Sequence, residues 1–388
     1  MNSEAAGLVK HKQAEMESVG KDALARQVLK GLRLKTVVKE SHCAPIASLV
    51  FNSHQPGCHN LFATVGKNQV TVYDDEHMGD FIGMVVHFTN DKTDHAQGGE
   101  LATCCWVSTD GWSRHPHGDA CLAVAGADAN ISVISVVDAQ VVRLLKGHRK
   151  EVLDLAACAS IPGLLASLSR DGTARLWDVP SETCILSHST DSNCLALDPG
   201  GKLLALGGRK GCVHLFSVPE GKAQASLQKL PSKLQSACLT ETMDCLEFLD
   251  ASRLCAKAMD GRMAVWDVSD GQQLASWRVP GCNAMQGAAG RSRFGATPCG
   301  SYVAVGSTSG DVNVFETASG SRLAHVAPIK VSGPVKACGI SADCRHLLAV
   351  LGNGFIFRYE YRTPEADKEN ASDNKASDMD WQPQEEVR

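Results

Sequence analysis

The stretch LLASLSRDGTARLWD, residues 164–178, decides the architecture. Leu164–Ser169 is small and apolar, as a buried strand requires. Asp171-Gly172 is a tight-turn pair, and Thr173–Asp178 alternates before ending on a bulky ring. The same unit recurs six times: LFATVGKNQVTVYD (61–74), CLAVAGADANISVIS (121–135), LLALGGRKGCVHLFS (203–217), LCAKAMDGRMAVWD (254–267), YVAVGSTSGDVNVFE (302–316) and LLAVLGNGFIFRYE (347–360). The bulky positions are Tyr73, Ile134, Trp177, Phe216, Trp266, Phe315 and Tyr359, spaced 39 to 61 residues apart. A unit of this length cannot bury both faces alone, so the repeats must stack.

Composition sets the class. The chain has 388 residues, 44% hydrophobic and 21% charged, which is the balance of a globular protein. No apolar run reaches the 18 residues of a membrane span. The N-terminus is polar and carries acids, unlike a signal or transit peptide. A net charge of -5 argues against a mainly electrostatic nucleic-acid binder. That charge is localised: from Pro364 onward eight acids face three bases, a balance equal to the whole chain's. The sixteen cysteines show no Cys-x-x-Cys pair and read as small buried hydrophobes.

The period resembles that of WD40 repeats, about 40–45 residues per four-stranded blade. The expected fold is therefore all-β, a seven-bladed WD40 β-propeller over residues 34–363. Residues 1–33 form an N-terminal extension, helical or mobile, and 364–388 a disordered acidic tail. A ring must pair its last blade with its first or leave an open edge. The alternating run Leu34–Lys39 is expected to supply the outer strand of blade seven, beside Gly354–Tyr361.

Blade three suggests a hydrogen-bond series. Gly147-His148 precedes it, and Ser167, Asp171 and Trp177 lie within it. A buried indole needs an acceptor, which Ser167 offers; the Ser167 hydroxyl can donate to His148, and Asp171 can orient the ring. The trio resembles a hydrolase triad in residue type only, and packing is the reading adopted. Blade five has Ala256 where that serine would sit. Phosphate-loop, nucleophile-elbow and zincin signatures are missing, so neither an enzyme nor a cofactor is expected. Segments 84–100, 107–119 and 281–292 read as loops on the propeller faces. His87, His95, His115 and His117 lie in two of them without ligand spacing, so no metal is assigned.

The motifs Phe51-Asn52, Phe62-Ala63-Thr64-Val65-Gly66, Thr103-Cys104-Cys105-Trp106, Leu122-Ala123-Val124-Ala125-Gly126 and Arg293-Phe294 resemble the extra sex combs / embryonic ectoderm development family. These are the WD40 subunits of Polycomb repressive complex 2. The origin-recognition-complex-associated leucine-rich-repeat and WD-repeat protein also fits, but this chain lacks leucine-rich repeats. The Polycomb resemblance implies a nuclear scaffold that docks a histone methyltransferase subunit or another chromatin partner. It implies no sequence-specific nucleic-acid contact and no membrane. It also implies a histone contact through an aromatic cage for trimethyl-lysine. The cage positions fall on Ala47, Ala102, Gly290 and Arg291, none aromatic. An adaptor of an origin-recognition, replication or ubiquitin-ligase assembly is the alternative. In the tail, Lys368-Glu369-Asn370 looks like a KEN degron, and Trp381 is a candidate docking residue.

Overall fold

Each repeated hairpin forms the middle of a four-stranded antiparallel sheet, and there are seven such sheets. The computed structural model describes residues 22–361 except 80, 92–98, 117, 209–210, 220–226, 237, 283–290, 328–332 and 353. In the deciding hairpin, Leu165 lies opposite Trp177 and Ser167 opposite Arg175. Gly172 turns it at a φ of 81°, a left-handed angle that favours glycine. The innermost strands are Ile46–Phe51, Leu101–Val107, Val152–Ala157, Cys194–Leu197, Met243–Phe248, Gly295–Ala296 and Val335–Ile340. That of blade one packs against those of blades two and seven, so the disc is a closed ring.

Packing follows from the pleat. Alternate residues of each blade face one neighbour and then the other. Seven apolar clusters result, each filling the gap between two adjacent blades. Trp177 and Trp266 are among the largest fully buried side chains. Nine of the sixteen cysteines are buried, and all sixteen are free thiols. Burial pushes Cys104 up to about 11 and Cys338 up to about 12, so these thiols stay protonated.

The ring closes through Leu32–Lys39, which pairs antiparallel with Phe355–Tyr361. The strand starts two residues before the expected run. Leu32 is buried with Ala25 and Leu29 of the helix at 22–30, against Tyr302 and Cys344. The spacing 25, 28, 29, 32 is one helical face continued into the strand. A second difference concerns residues 84–89. They were expected to open a loop, but they complete the outer strand Phe81–Thr89 of blade one. Their alternation pairs them with Gln69–Tyr73. Met84-Val85-Val86-His87-Phe88-Thr89 is itself apolar and strand-like; only the polar run that follows it reads as loop.

A buried ionic group pins the closure. His346 of blade seven places Nδ1 2.6 Å from Asp75 Oδ2 of blade one. Its Nε2 lies 2.9 Å from Arg358 Nη2, and Arg358 Nε is 3.4 Å from Asp75 Oδ1. Arg358 is fully buried. Replacing Asp75 by alanine removes a buried carboxylate from beside Arg358 and His346, and breaking such a buried pair costs about 3–5 kcal/mol. Urea unfolding of Asp75→Ala should show a lower midpoint of that size; an unchanged midpoint would show that the group does not hold the ring.

Candidate functional site

Two polar constructions stand out: the blade-three network and one mouth of the central channel. In blade three, Trp177 Nε1 donates to Ser167 Oγ at 2.8 Å, and Ser167 Oγ lies 2.7 Å from His148 Nε2. His148 Nδ1 is 2.9 Å from Asp171 Oδ2. Asp171 also accepts from Thr173 and from the Arg149 amide. The serine hydroxyl is shared between indole and imidazole and is fully buried, so it has no access to a substrate. Burial pushes the His148 imidazole below its usual value of 6.5, against the opposing pull of Asp171. Burial alone would raise Asp171, but hydrogen bonds from Thr173, the Arg149 amide and His148 outweigh it and hold the carboxyl low.

Blade one builds an equivalent that its sequence did not reveal. Glu40 Oε1 accepts from Thr64 Oγ1 at 2.5 Å and from Tyr73 OH at 2.9 Å, while Oε2 meets His42 Nε2. Tyrosine replaces tryptophan, threonine replaces serine, and the carboxylate comes from the linker before the blade. In blade five the corresponding chain is broken. Ala256 follows the strand position opposite Trp266 by two residues, and Trp266 Nε1 is buried without a hydrogen-bond partner.

The channel mouth is set by strand irregularities. Five innermost strands shift register at the same place: between Ile46 and Ser48, Leu101 and Thr103, Val152 and Asp154, Met243 and Cys245, and Val335 and Ala337. A bulge re-aims the residue it carries. Those residues are Ala47, Ala102, Leu153, Asp244 and Lys336. The structure thus places Ala47 and Ala102 at equivalent points of one ring of positions. Gly290 lies outside the described residues, as do His95, His117, Lys368-Glu369-Asn370 and Trp381. His87 is on the outer strand of blade one, 3.1 Å from Thr71 Oγ1.

Arg291 reaches across this mouth. Its Nη1 donates to Leu153 O at 2.6 Å, and its Nη2 to Asp154 Oδ2 at 3.0 Å. Its Nε and Nη2 also meet Asp244 O. Arg293 Nη2 donates to Asp154 Oδ1 at 2.7 Å and to Thr103 Oγ1 at 3.0 Å. Asp154 takes a further donor from the Leu195 amide. One carboxylate therefore joins blades three, four and six, and its arginines extend the network to blades two and five. Beside it, Lys257 Nζ bonds both oxygens of Asp244 at 3.0 and 2.7 Å. Burial works against ionised Asp154, yet Arg293 and Arg291 prevail and hold it below the ordinary carboxylate range. Beside the mouth the innermost strands line a cavity of about 470 Å³, with Cys104, Trp106, Glu247 and Phe294 on its wall.

Sequence reasoning found Arg291 but missed Asp154 and Asp244. Their signal, an acid at the second or third position of an innermost strand, has no meaning until the strands converge.

Two outcomes test these networks. Ser167→Ala removes the acceptor of Trp177 and the partner of His148, which should cost about 1–3 kcal/mol. Ala256→Ser supplies Trp266 with an acceptor and should raise the urea midpoint by about 1 kcal/mol; a neutral or destabilising result would show that the site cannot hold the hydroxyl. The pH dependence follows from the shifts. Low-set Asp154 and Asp171 favour the fold above the usual carboxylate values, a gain lost as pH falls through their folded values. The lowered His148 favours the fold above 6.5, and that gain shrinks as pH drops below it. Stability should thus decline steadily below pH 6.5, with a smaller decline below 4 in Asp154→Asn.

Comparison with known proteins accords with this architecture. Residues 139–178, which span most of blade three, match the family described as WD domain, G-beta repeat. Polycomb group protein FIE2 of Zea mays is 23% identical, over 81% of this chain and 88% of its own length. Polycomb protein esc of Drosophila melanogaster is 34% identical, over 39% of this chain and 33% of its own. Protein SPA1-RELATED 3 of Arabidopsis thaliana is 25% identical, over 74% of this chain and 32% of its own. From the repeats, the closed seven-blade ring and these similarities, the chain is a seven-bladed β-propeller with a WD-type repeat in blade three, similar over most of its length to Polycomb group protein FIE2.

Proposed function

We propose that this disc is the WD40 scaffold of a nuclear, Polycomb-type chromatin complex, docking a histone methyltransferase subunit or another chromatin partner. The reading rests on similarity to a Polycomb group protein over 81% of the chain. A closed ring of seven rigid blades suits it, because it presents preformed surfaces whose ordering costs little on binding.

We further propose that the channel mouth does not read trimethyl-lysine. A cage works by placing π faces around a desolvated quaternary ammonium, each contact contributing about 0.5–2 kcal/mol. Ala47 and Ala102 offer methyl groups in place of rings. Arg291 brings a cation to the mouth and is tied there by four hydrogen bonds to Leu153, Asp154 and Asp244. An incoming ammonium meets like charge without an aromatic surface to offset it. Any histone contact would then use another part of the disc and be indifferent to methylation.

Affinity purification of the tagged full-length chain from nuclei tests the scaffold. Recovery of a methyltransferase with a SET domain is the expected result. Recovery of only ubiquitin-ligase or origin-recognition components would transfer the protein to the adaptor reading, to which the similarity with SPA1-RELATED 3 lends some weight. A histone-peptide array tests the mouth. Trimethylated and unmodified peptides should bind alike, and a clear preference for the trimethylated form lost in Ala47→Asp would refute the assignment.

A further inference from the structure

Away from the channel, the segment joining the first two strands of blade two folds into a compact loop. Trp112 and Ser113 amides donate to Thr109 O, and the Gly118 amide donates to His115 O. Thr109 Oγ1 donates to Asp119 O at 2.6 Å, and Trp112 Nε1 to Ser108 O at 3.0 Å. These bonds bring His115 over Asp119, at the loop's end, and over Asp138, in the turn between the blade's two outer strands. One ligand-type atom from each of the three residues lies within 4.8 Å of the other two.

We infer that His115, Asp119 and Asp138 form a binding site for a divalent cation of the zinc class, which would pin this loop to blade two. The imidazole supplies the first reason. His115 Nε2 is buried without a hydrogen bond, although Asp138 Oδ1 is only 3.1 Å away. The two atoms face each other at a distance suited to a shared ion, because ligand atoms around a tetrahedral zinc sit about 3.3 Å apart. Charge supplies the second. Asp119 is 8% exposed, and among the described residues neither Asp119 nor Asp138 has a lysine or arginine ion pair. Asp119 accepts from Ser135 Oγ at 2.6 Å and from the Val137 amide at 3.3 Å, which fix its orientation. Such second contacts are what hold a metal-binding carboxylate in place. Neither cancels its charge, and Oδ1, which accepts only the Val137 amide, keeps a free lone pair.

The donor set selects the ion. Two carboxylate oxygens and one imidazole nitrogen suit zinc, manganese or cobalt; calcium requires six or more oxygens. His115 and Asp138 keep side chains 28% and 27% exposed, so an ion can enter from that side and water can complete its shell. Cys121 Sγ donates to Asp119 Oδ2 at 3.5 Å and is not one of the three ligand-type atoms that come together, so it stays outside the donor set.

Cobalt titration of the chelator-treated full-length chain is the test. One equivalent should bind, giving visible ligand-field bands without thiolate-to-cobalt charge transfer. His115→Ala and Asp138→Asn change surface side chains and should keep the wild-type circular dichroism, while weakening cobalt binding about a hundredfold. Three results would each overturn the site: no stoichiometric binding, a thiolate charge-transfer band, or equal affinity in the wild type and both variants. In the first case the contact is an ordinary histidine–aspartate pair, and in the second the ion belongs to cysteines elsewhere.

Discussion

An unpaired sheet edge is the constraint on which this molecule depends. Seven twisted sheets set side by side leave one open seam, and the seam closes only if strand donors from both ends of the chain meet. Here Leu32–Lys39 crosses to Phe355–Tyr361, and the helix before it packs Ala25 and Leu29 into the gap between blades six and seven. Asp75, His346 and Arg358 then link blade seven to blade one from within. Pairing removes the exposed edge. The ionic group adds specificity of register, because a slipped seam would bury unpaired charge.

Closure has a consequence at the centre. Seven innermost strands converge, and the bulge near the start of five of them turns one residue of each toward the mouth. What those residues are decides what the mouth can do. With alanines at 47 and 102, the space goes to arginines anchored on Asp154. The mouth is thereby cross-braced between blades that are not neighbours in sequence. A propeller whose inter-blade contacts are mostly apolar gains a polar keystone, and loses an open recess on that side.

Much of the fold was legible in the repeats, because hairpin chemistry is local. Asp171-Gly172 demands a turn, Leu164–Ser169 demands burial, and a period near 40–45 residues demands a blade. The blade-three series was legible for a similar reason: Ser167, Asp171 and Trp177 fall at fixed offsets within one unit, with Gly147-His148 just before its first strand. The blade-one series was not, since Glu40 lies outside the unit and reaches Thr64 and Tyr73 only after the ring closes. The strand over 84–89 was missed because the polar run after it was read together with it, although Met84–Phe88 is mostly apolar.

The sequence by itself determined the number of blades and the turn positions, because each depends on residue type and short-range spacing. Only the tertiary structure decided that Arg291 and Arg293 share Asp154 across the channel, and that His115 meets Asp119 and Asp138. Asp154 is far along the chain from Arg291 and Arg293, and Asp138 lies in a different turn from His115 and Asp119. Their energies depend on distance and burial, and neither quantity exists until the disc has closed.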